Sequence, residues 1–334
     1  MSAGVALVTG ATGFIGGHVA RLLIEQGWVV RALRRPGSSN PFLAGVDVDW
    51  LNGDIRDLEA VRFAMSGCRA VFHVAADYRL WAPRSQDIYE TNVKGTTNML
   101  EAALALGVER VVHTSSVGAL GLNPDGSPAH EATPVSLKDM VGHYKRSKFL
   151  AERQAEQYVS RGLPLVMVHP STPVGPGDHK PTPTGKIIVD FLNRRMPAYV
   201  DTGLNLVHVR DVAWGHLLAL EKGRVGDKYI LGNANLTLTE IFRLLEKISG
   251  IPAPRVRLPH SLVLVLAYGN AAFSWLTGTE PRIPLEGVKM AHRRMFFDAG
   301  KAARDLGMPR TPVVQALREA VEWYQEHGYV TRKR

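Results

Sequence analysis

The feature that most constrains this chain is a glycine loop between an apolar run and a helical pattern. Residues 5–8 are apolar, residues 10–16 read Gly-Ala-Thr-Gly-Phe-Ile-Gly, and apolar side chains then recur at helical spacing. A loop between a strand and a helix is typical of a dinucleotide-binding turn, in which amides at the helix start face a pyrophosphate. Gly10 would allow the turn, Gly13 the approach of the backbone to phosphate, and Gly16 close packing. An ordinary glycine-rich turn is the alternative.

The composition is that of a folded chain with a sizeable core. The chain has 334 residues, of which 45% are hydrophobic, and a length of this order predicts one large α/β domain with a smaller lobe. Cys68 is the only cysteine, so we expect no intramolecular disulfide and a small buried side chain at this position. Because the first residues lack the pattern of a secretion signal, we expect a cytoplasmic protein.

The formal net charge of +9 fits several kinds of partner. A basic protein can bind nucleic acid, an anionic membrane surface, or a phosphate-rich cofactor and a small-molecule substrate. The basic residues are scattered and form no recognition-helix or RNA-binding signature, so we expect no nucleic-acid partner. The histidines and the single cysteine show no metal-ligand spacing, so no metal is predicted.

Apolar runs alternate with helical patterns through the first half of the chain. This alternation predicts an α/β fold with a parallel, doubly wound sheet of the Rossmann type, crossed by long helices at residues 87–106 and 144–160. The predicted strands of this half cover residues 5–9, 29–33, 48–51, 70–74, 110–114 and 164–169.

The alternation breaks at residues 170–183, which hold five prolines. Such a density predicts no regular element. Because the segment leaves the carboxyl end of a predicted central strand, where open α/β sheets bind ligands, it is a candidate substrate loop, with a plain domain linker as the alternative. Beyond it we expect a strand at residues 228–231 and helices at 186–195, 212–221, 238–249 and 313–325.

Two domains follow from this organisation. We expect residues 1–176 to form the dinucleotide-binding domain, with 206–235 returning to it. Residues 177–205 and 236–330 would then form a smaller, mixed α/β substrate lobe.

One segment bears on membranes. Residues 261–279 carry no charge and begin with a strongly apolar run. A membrane-spanning helix needs about 20 mostly apolar residues, and Gly269, Asn270 and Ser274 interrupt this stretch, so a span is not predicted. A buried helix of the smaller lobe is the prediction. The alternative is a membrane-surface contact, or a wall that admits a lipid-like substrate, which the basic charge would assist.

Tyr144 and Lys148 are four residues apart on a predicted helix, so both side chains leave the same face. A free phenol has a pKa of about 10, and a neighbouring ammonium favours the phenolate, so the pair predicts an acid/base tyrosine whose pKa the lysine lowers. The same spacing is common on solvated helix surfaces. Here, however, residues 114–116 end a predicted strand with hydroxyl side chains that could hold a substrate oxygen beside the phenol.

With these residues in view, the chain resembles the extended short-chain dehydrogenase/reductase family, of the NAD-dependent epimerase/dehydratase type, over well more than half its length. The resemblance implies that Ser116 orients the substrate oxygen, with Ser115 as the fallback. Tyr144 would exchange the proton. Lys148 would lower the phenol's pKa and hold the nicotinamide ribose, while Asn92 would support the active site from its helix.

The same resemblance implies cofactor contacts and an assembly. Family members often pair through two helices of the main domain, so a homodimer is expected. Cofactor contacts are implied at Gly10, Thr12, Gly13, Phe14, Ile15, Gly16, Asp54, Ile55, Ala75, Ala76, Tyr144, Lys148 and His169.

The end of the second predicted strand bears on the choice of cofactor. An acidic residue there would accept a hydrogen bond from the adenosine ribose, but this chain has Arg34 and Arg35. A guanidinium suits a 2′-phosphate, so we favour NADP(H) over NAD(H). A solvated basic turn that tolerates both cofactors is the alternative.

The segment after the sixth strand bears on the subgroup. Nucleotide-sugar epimerases and dehydratases typically carry an arginine and an asparagine where this chain has His169 and Thr172. The chain looks closer to dihydroflavonol-4-reductase-like members, which act on bulky, less polar ketones and alcohols, and is similar to bacterial proteins known as hopanoid-associated sugar epimerases. Guesses for the substrate wall are Tyr78, Trp81, Thr172 and His179, which could equally be packing residues.

We therefore expect an NADP(H)-dependent oxidoreductase that transfers hydride at a secondary alcohol or ketone of a bulky substrate, either free or lipid-linked. One alternative is an NAD(P)-dependent sugar epimerase or dehydratase that acts without net redox change. Two others are a catalytically idle NADP-sensing protein and a membrane-surface component that hands on lipid intermediates.

Overall fold

Strands and helices alternate along most of the computed structural model, which describes residues 4–277, 279, 281 and 285–331. The strands are β1 (Val5–Thr9), β2 (Val29–Arg34), β3 (Asp49–Asn52), β4 (Ala70–His73), β5 (Arg110–Thr114), β6 (Leu165–Pro170), β7 (Thr172–Val174), β8 (Ala198–Val200), β9 (Gly203–His208), β10 (Lys228–Leu231), β11 (Ala234–Thr237) and β12 (Val256–Leu258). The helices are α1 (Phe14–Glu25), α2 (Leu58–Met65), α3 (Gln86–Tyr89), α4 (Gly95–Ala105), α5 (Gly142–Ser160), α6 (Pro183–Leu192), α7 (Val209–Lys222), α8 (Leu238–Ser249), α9 (His260–Thr277), α10 (Leu285–Met290) and α11 (Val313–Glu326).

A seven-stranded sheet in the order β10-β6-β5-β4-β1-β2-β3 organises the larger part of the chain. Every neighbouring pair in it is parallel. Side chains of α1 and α7 cover one face of the sheet, and those of α2, α4 and α5 cover the other. Burial on both faces explains why β4 and β6 are continuous apolar runs rather than alternating ones. The predicted doubly wound sheet of the Rossmann type is confirmed.

The helix predicted over residues 87–106 is present as three consecutive segments. Between α3 and α4, residues Glu90–Lys94 form a π-helical turn. Such turns insert one extra residue into a helix and are frequent at functional sites. The helix predicted from residue 144 begins two residues earlier, at Gly142, whose φ of 82° suits a glycine at the turn into α5.

The smaller sheets lie outside this domain. β7, β9 and β11 form a three-stranded sheet, and β8 pairs with β12. The prediction that residues 170–183 contain no regular element is wrong, since β7 lies within them. Pro173 is tolerated there because β7 is an edge strand, where a missing amide leaves no ladder partner unsatisfied. Helices α6, α8 and α11 close a separate apolar cluster against this sheet.

The chain crosses between the two parts more than once. β9 belongs to the small sheet, α7 then packs against α1, and β10 joins the main sheet beside β6. The division into residues 1–176 with 206–235, and 177–205 with 236–330, stays a proposal; its bounds cut through β9 and β11 and leave β7 with the first part.

The uncharged segment forms helix α9, but the prediction of a buried helix is wrong. Among the side chains described on α9, only Ala267 and Ser274 are buried, and several large apolar ones are exposed. The helix packs chiefly against α10, so one neighbour covers only one of its faces. Over the described residues, no helix is both long and apolar enough to cross a bilayer.

Candidate active site

The glycine loop lies at the carboxyl end of β1, against the loop that follows β4. Gly10 has a φ of 76°, and a Cβ at this position would lie 2.7 Å from the Ala75 amide nitrogen. A Cβ on Gly16 would collide with the carbonyl of Gly10. These glycines therefore allow backbone to approach backbone, and they bring the two predicted cofactor segments together.

Helix α1 begins directly after this loop and has no side-chain cap at its amino end. Gly13 occupies the capping position, and its amide donates to the Gly10 carbonyl at 2.8 Å. The amides of the first turn, from Phe14 and Ile15 onward, are left for an anion. A cradle that a Cβ would fill, next to an uncapped helix start, fits the pyrophosphate of a dinucleotide.

Asn40, which the sequence analysis did not single out, holds the loop from the other side. Its side-chain amide donates to the carbonyls of Ala11 and Gly13 at 3.0 and 3.3 Å, and its oxygen accepts from the Phe42 amide. Asn40 is buried and replaces backbone bonds that the irregular loop cannot make for itself. It also joins the glycine loop to the turn after β2.

That turn carries Arg34. The Arg34 guanidinium lies 4.7 Å from the centroid of the Trp50 ring and makes a long hydrogen bond of 3.4 Å to the Ser38 carbonyl. Its Nε is buried and has no partner among the described residues. Arg35 is exposed. The end of β2 therefore presents two cations, one of which is oriented by an aromatic ring and has donors to spare.

The turn after β3 brings Asp54 and Ile55 to the same edge of the sheet. Hydrogen bonds from Arg56 are the main cause of a lowered Asp54 pKa. Ile55 is buried against Gly95, where a Cβ would collide with its side chain, and its carbonyl accepts from the Asn98 amide at 2.9 Å. The start of α4 thus fixes this turn in place.

Asn92 lies in the π-helical turn and is buried. Its side chain bonds the Asp77 backbone twice, accepting from the amide at 2.7 Å and donating to the carbonyl at 2.8 Å. It also donates to the Ser147 hydroxyl at 2.9 Å. Asn92 therefore ties the loop of Ala75 and Ala76 to the residue that precedes Lys148 on α5.

The structure brings Ser116 and Tyr144 together beside the carboxyl end of β5. The Ser116 hydroxyl accepts a hydrogen bond from the Gly118 amide at 3.0 Å and interacts with the phenol. Burial raises the pKa of Tyr144, and the interaction with Ser116 opposes that rise without cancelling it. The direction is opposite to that of the sequence prediction, in which Lys148 lowers this pKa, because desolvation outweighs the hydrogen bond with Ser116.

Lys148 is buried, and its ammonium donates a hydrogen bond to the Thr114 carbonyl at 2.7 Å. Burial lowers the pKa of Lys148 to about 8, while the charge of Glu152 opposes that change. The lysine therefore joins α5 to the end of β5, directly beneath the residues that lead to Ser116.

A buried carboxylate, which the sequence analysis did not single out, lies one turn further along α5. Glu152 accepts from the Ser115 hydroxyl at 2.6 Å, is 2.8 Å from Nε2 of His169, and forms an ion pair with Lys228. Burial favours its neutral form, but His169 and Lys228 hold the Glu152 pKa well below its usual range. Ser115 is thereby engaged, which leaves Ser116 as the hydroxyl free to face a ligand.

The same network places His169 in the interior. Its side chain has no exposed surface, and Nδ1 has no partner among the described residues. A cofactor contact at this position, which the resemblance implies, would have to come from the backbone.

Two further groups near Tyr144 are visible only in the fold. Glu286, from α10, accepts a hydrogen bond from the His143 amide at 3.1 Å, at the amino end of α5. Lys145 lies beside the turn that holds Ser116, with its Cγ 3.5 Å from the position of a Cβ on Gly118, and burial lowers its pKa to about 8. No sequence motif marks either residue.

The four guessed substrate residues lie at different places. Trp81 is half-buried in the irregular chain after β4, and Thr172 is half-buried in β7. Tyr78 is 42% exposed, and burial together with the charge of Asp178 raises its pKa, which indicates that the loop after β4 faces the proline-rich segment. His179 is held at its carbonyl by the hydroxyl of Tyr329.

Comparisons with known proteins place this geometry in context. The sequence model described as "NAD dependent epimerase/dehydratase family" matches residues 6–232. A Synechocystis protein named as a candidate dihydroflavonol 4-reductase is 46% identical over 97% of this chain and 95% of its own length. Sterol demethylase protein B of Methylococcus capsulatus is 34% identical over 97% of this chain and 99% of its own length. The crystal structure of gox2253 matches with a TM-score of 0.88 and 45% identity, over 98% of this chain and 99% of that one.

Proposed function

We propose, on the premise that the chain belongs to the NAD dependent epimerase/dehydratase family, that it is an NADP(H)-dependent reductase of a bulky, weakly polar ketone. Family membership and reductase-named relatives make it an NAD(P)-dependent enzyme of the reductase or epimerase type. The observation that carries the proposal is the pair of Ser116 and Tyr144 beside the glycine cradle of residues 10–16. It joins an acid/base group to a dinucleotide site.

The residues that would hold the cofactor follow from their placement. The start of α1 would bind the pyrophosphate, and Arg34 would bind the 2′-phosphate of the adenosine. Lys148 would bind the ribose of the nicotinamide. When bound, the nicotinamide supplies or accepts the hydride.

The chain's own groups manage the proton. The Ser116 oxygen already accepts from the Gly118 amide, so its hydrogen is free for a substrate oxygen. Tyr144 exchanges a proton with that oxygen. Because burial raises the Tyr144 pKa, the phenol keeps its proton near neutral pH, as the proton donor in a ketone reduction must.

The substrate class has separate support. Two relatives that match nearly the whole chain are named for a dihydroflavonol reductase and for sterol demethylation, both of which concern large, weakly polar ring systems. His169 and Thr172 stand where an arginine and an asparagine, respectively, are expected in nucleotide-sugar enzymes. We therefore place a bulky ring, in a free or lipid-linked form, above the nicotinamide.

A sugar epimerase or dehydratase is the second candidate, favoured by the description of the family. The test is turnover of purified protein, supplied with NADPH, on a panel of cyclic ketones and on a panel of nucleotide sugars. Oxidation of NADPH in step with alcohol formation supports the reductase. Turnover without a net change in the redox state of the nicotinamide would overturn the reductase proposal and favour the epimerase. Binding of NADPH without turnover of either substrate class would favour the idle sensor.

The cofactor preference is tested by Arg34→Ala. We expect the dissociation constant of NADPH to rise by about tenfold, from the loss of a charged phosphate contact, while that of NADH stays within about twofold. Arg62→Ala, which removes an exposed arginine paired with Glu59, is the matched control. Equal weakening of both cofactors by Arg34→Ala would contradict the NADP(H) assignment.

Assembly and location complete the proposal. We propose a cytoplasmic homodimer that pairs through α4 and α5, as related enzymes often do. A molar mass of one chain in light scattering at micromolar concentration would contradict the dimer.

A further inference from the structure

Helix α9 reverses the usual arrangement of a surface helix. Four large apolar side chains described on it, Leu262, Val265, Leu266 and Phe273, are 48%, 68%, 50% and 61% exposed. Their spacing places them along one face of the helix, together with the exposed Gly269 and Ala272. The opposite face carries the buried Ala267 and Ser274. An apolar stripe therefore faces outward along a helix about 27 Å long.

Nothing in the described fold covers this stripe. The inner face of α9 is held by α10, through a hydrogen bond of 2.8 Å between His260 and the Val288 carbonyl. Among the residues that the structure describes, no side chain of α9 belongs to an apolar cluster of the core. A contiguous exposed apolar face of this kind marks an interaction surface rather than chance exposure of single side chains.

Basic side chains border the stripe. Lys289 lies 5.3 Å from the Tyr268 ring centroid, and Tyr268 is itself 52% exposed beside the stripe. At the amino end of α9, the rings of His260 and His292 are 4.9 Å apart, and the exposed Arg293 follows next in the chain. Residues 261–279 contain no acidic side chain. The rim of the stripe is thus cationic, on a chain whose net charge is +9.

The charge distinguishes between two occupants. In a symmetric pair of chains joined at this face, each cationic rim would meet its own copy, and like charges repel. An anionic bilayer offers the complementary arrangement: acyl chains for the stripe and negative headgroups for the rim. A tyrosine and a phenylalanine on the same helix suit the boundary between these two layers.

We propose that α9 docks the protein onto an anionic membrane surface, lying in the plane of the interface with its Leu262-to-Phe273 stripe among the acyl chains. This docking is independent of the reaction proposed above, since it rests only on the outer face of α9. It leaves the inner face, with α10 and Glu286, in contact with the enzyme.

The test is co-sedimentation of the full-length protein with vesicles of phosphatidylcholine, with and without 30% phosphatidylglycerol (about one lipid in three). We expect binding to the anionic vesicles, weaker binding to the neutral ones, and loss of the difference at about 0.5 M salt. The double variant Val265→Ser/Phe273→Ser should lower the partition coefficient on anionic vesicles by about tenfold or more.

The matched control is Val29→Ser/Phe63→Ser, which removes the same two side-chain types from an exposed site on the nucleotide domain, where they are 60% and 72% exposed. It should bind vesicles like the unmodified protein. Equal binding by both double variants, or no binding to anionic vesicles, would overturn the proposal. So would a concentration-dependent self-association that only Val265→Ser/Phe273→Ser abolishes, since the occupant would then be a second copy.

Discussion

Helices α5 and α9 have nearly the same length, 19 and 18 residues. They differ in which kinds of side chain they bury and which they expose. Helix α5 buries Ser147, Lys148 and Glu152, all of them polar or charged. Helix α9 carries no charged residue and exposes leucine, valine and phenylalanine. Polar groups usually lie on the surface and apolar groups in the interior. Helix α5 departs from this by burying polar groups, and helix α9 departs from it by exposing apolar ones.

The two helices differ in how the broken rule is compensated. The buried groups of α5 have partners within the chain: Thr114 for Lys148, Asn92 for Ser147, and a lysine and a histidine for Glu152. Partners of this kind offset the cost of removing charge from water. The exposed groups of α9 have no such partners within the described fold. The buried polar groups of α5 therefore serve the reaction inside the protein. The exposed apolar groups of α9 form a surface that a membrane can cover.

The largest effect should come from Tyr144→Phe. Removing the phenol oxygen of α5 eliminates the proposed proton donor, so we expect kcat to fall by about 10³-fold or more while the dissociation constant of NADPH changes by less than about threefold. Steady-state kinetics and cofactor titration measure the two quantities. A variant that keeps more than a tenth of the kcat would show that Tyr144 on α5 is not the proton donor.

Acid should destabilise the interior around the main sheet. Burial is the main cause that lowers the pKa of His18 and of His73 to about 3, and that of His216 to about 4. The folded protein therefore binds fewer protons than the unfolded chain below about pH 6.5, and its stability falls as pH falls toward those values. From these three groups we expect a loss of roughly 3 to 4 kcal/mol between pH 7 and pH 5.5.

Urea denaturation followed across this pH range measures the slope of stability against pH. His216→Gln should reduce the histidine part of that slope by about a quarter, because burial also lowers the pKa of His113 and makes His216 one of four histidines with strongly lowered pKa values. A slope that the substitution leaves unchanged would mean that His216 is not one of the groups that unfolding exposes to protons.

Glu152→Gln tests the buried network of α5 directly. Removing the negative charge leaves Lys228 and His169 without their common partner, and we expect a loss of about 3 kcal/mol of unfolding free energy. Glu156→Gln is the matched control, since Glu156 also pairs with Lys228, at 2.8 Å, but is partly exposed, and it should lose less than about 1 kcal/mol. Similar losses in both variants would show that burial of the carboxylate adds nothing.

The smallest effect is expected from Val265→Ser/Phe273→Ser on α9. Because both side chains are mostly exposed, their removal should change the free energy of unfolding by less than about 1 kcal/mol in the absence of membranes. Thermal or urea denaturation checks this value. A loss of several kcal/mol of unfolding free energy would show that the stripe packs within the protein. Helix α9 would then differ from α5 only in composition and not in exposing apolar side chains.

Local patterns were sufficient for much of the fold and for part of the site. The seven strands of the main sheet could be placed within about one residue, because burial between helices favours apolar runs, whereas the strands of the smaller sheets were not predicted. The glycine loop was recognisable because a turn with a φ of 76° at Gly10 leaves little choice of residue. The four-residue spacing of Tyr144 and Lys148 fixed their common helix face.

What escaped the sequence depends on contacts between distant residues. Asn40 and Glu152 have no local signature, because their partners belong to other strands and helices. The pKa of Tyr144 could not be read from spacing, since it depends on burial and on where the ammonium of Lys148 finds an acceptor. The exposure of α9 was missed for a related reason. The sequence of an apolar, uncharged helix shows the same pattern whether the helix packs inside the protein or faces a membrane.

The contact between Glu286 and the start of α5 has a consequence for the order of assembly. During synthesis the strands of the main sheet, the glycine loop and Tyr144 all leave the ribosome well before residue 286. Until α10 arrives, the amide of His143 has no carboxylate to bond, and the first turn of the catalytic helix is free to fray. The last-made third of the chain therefore completes the active helix, so a prematurely terminated product would carry every catalytic residue and still present an unfinished site.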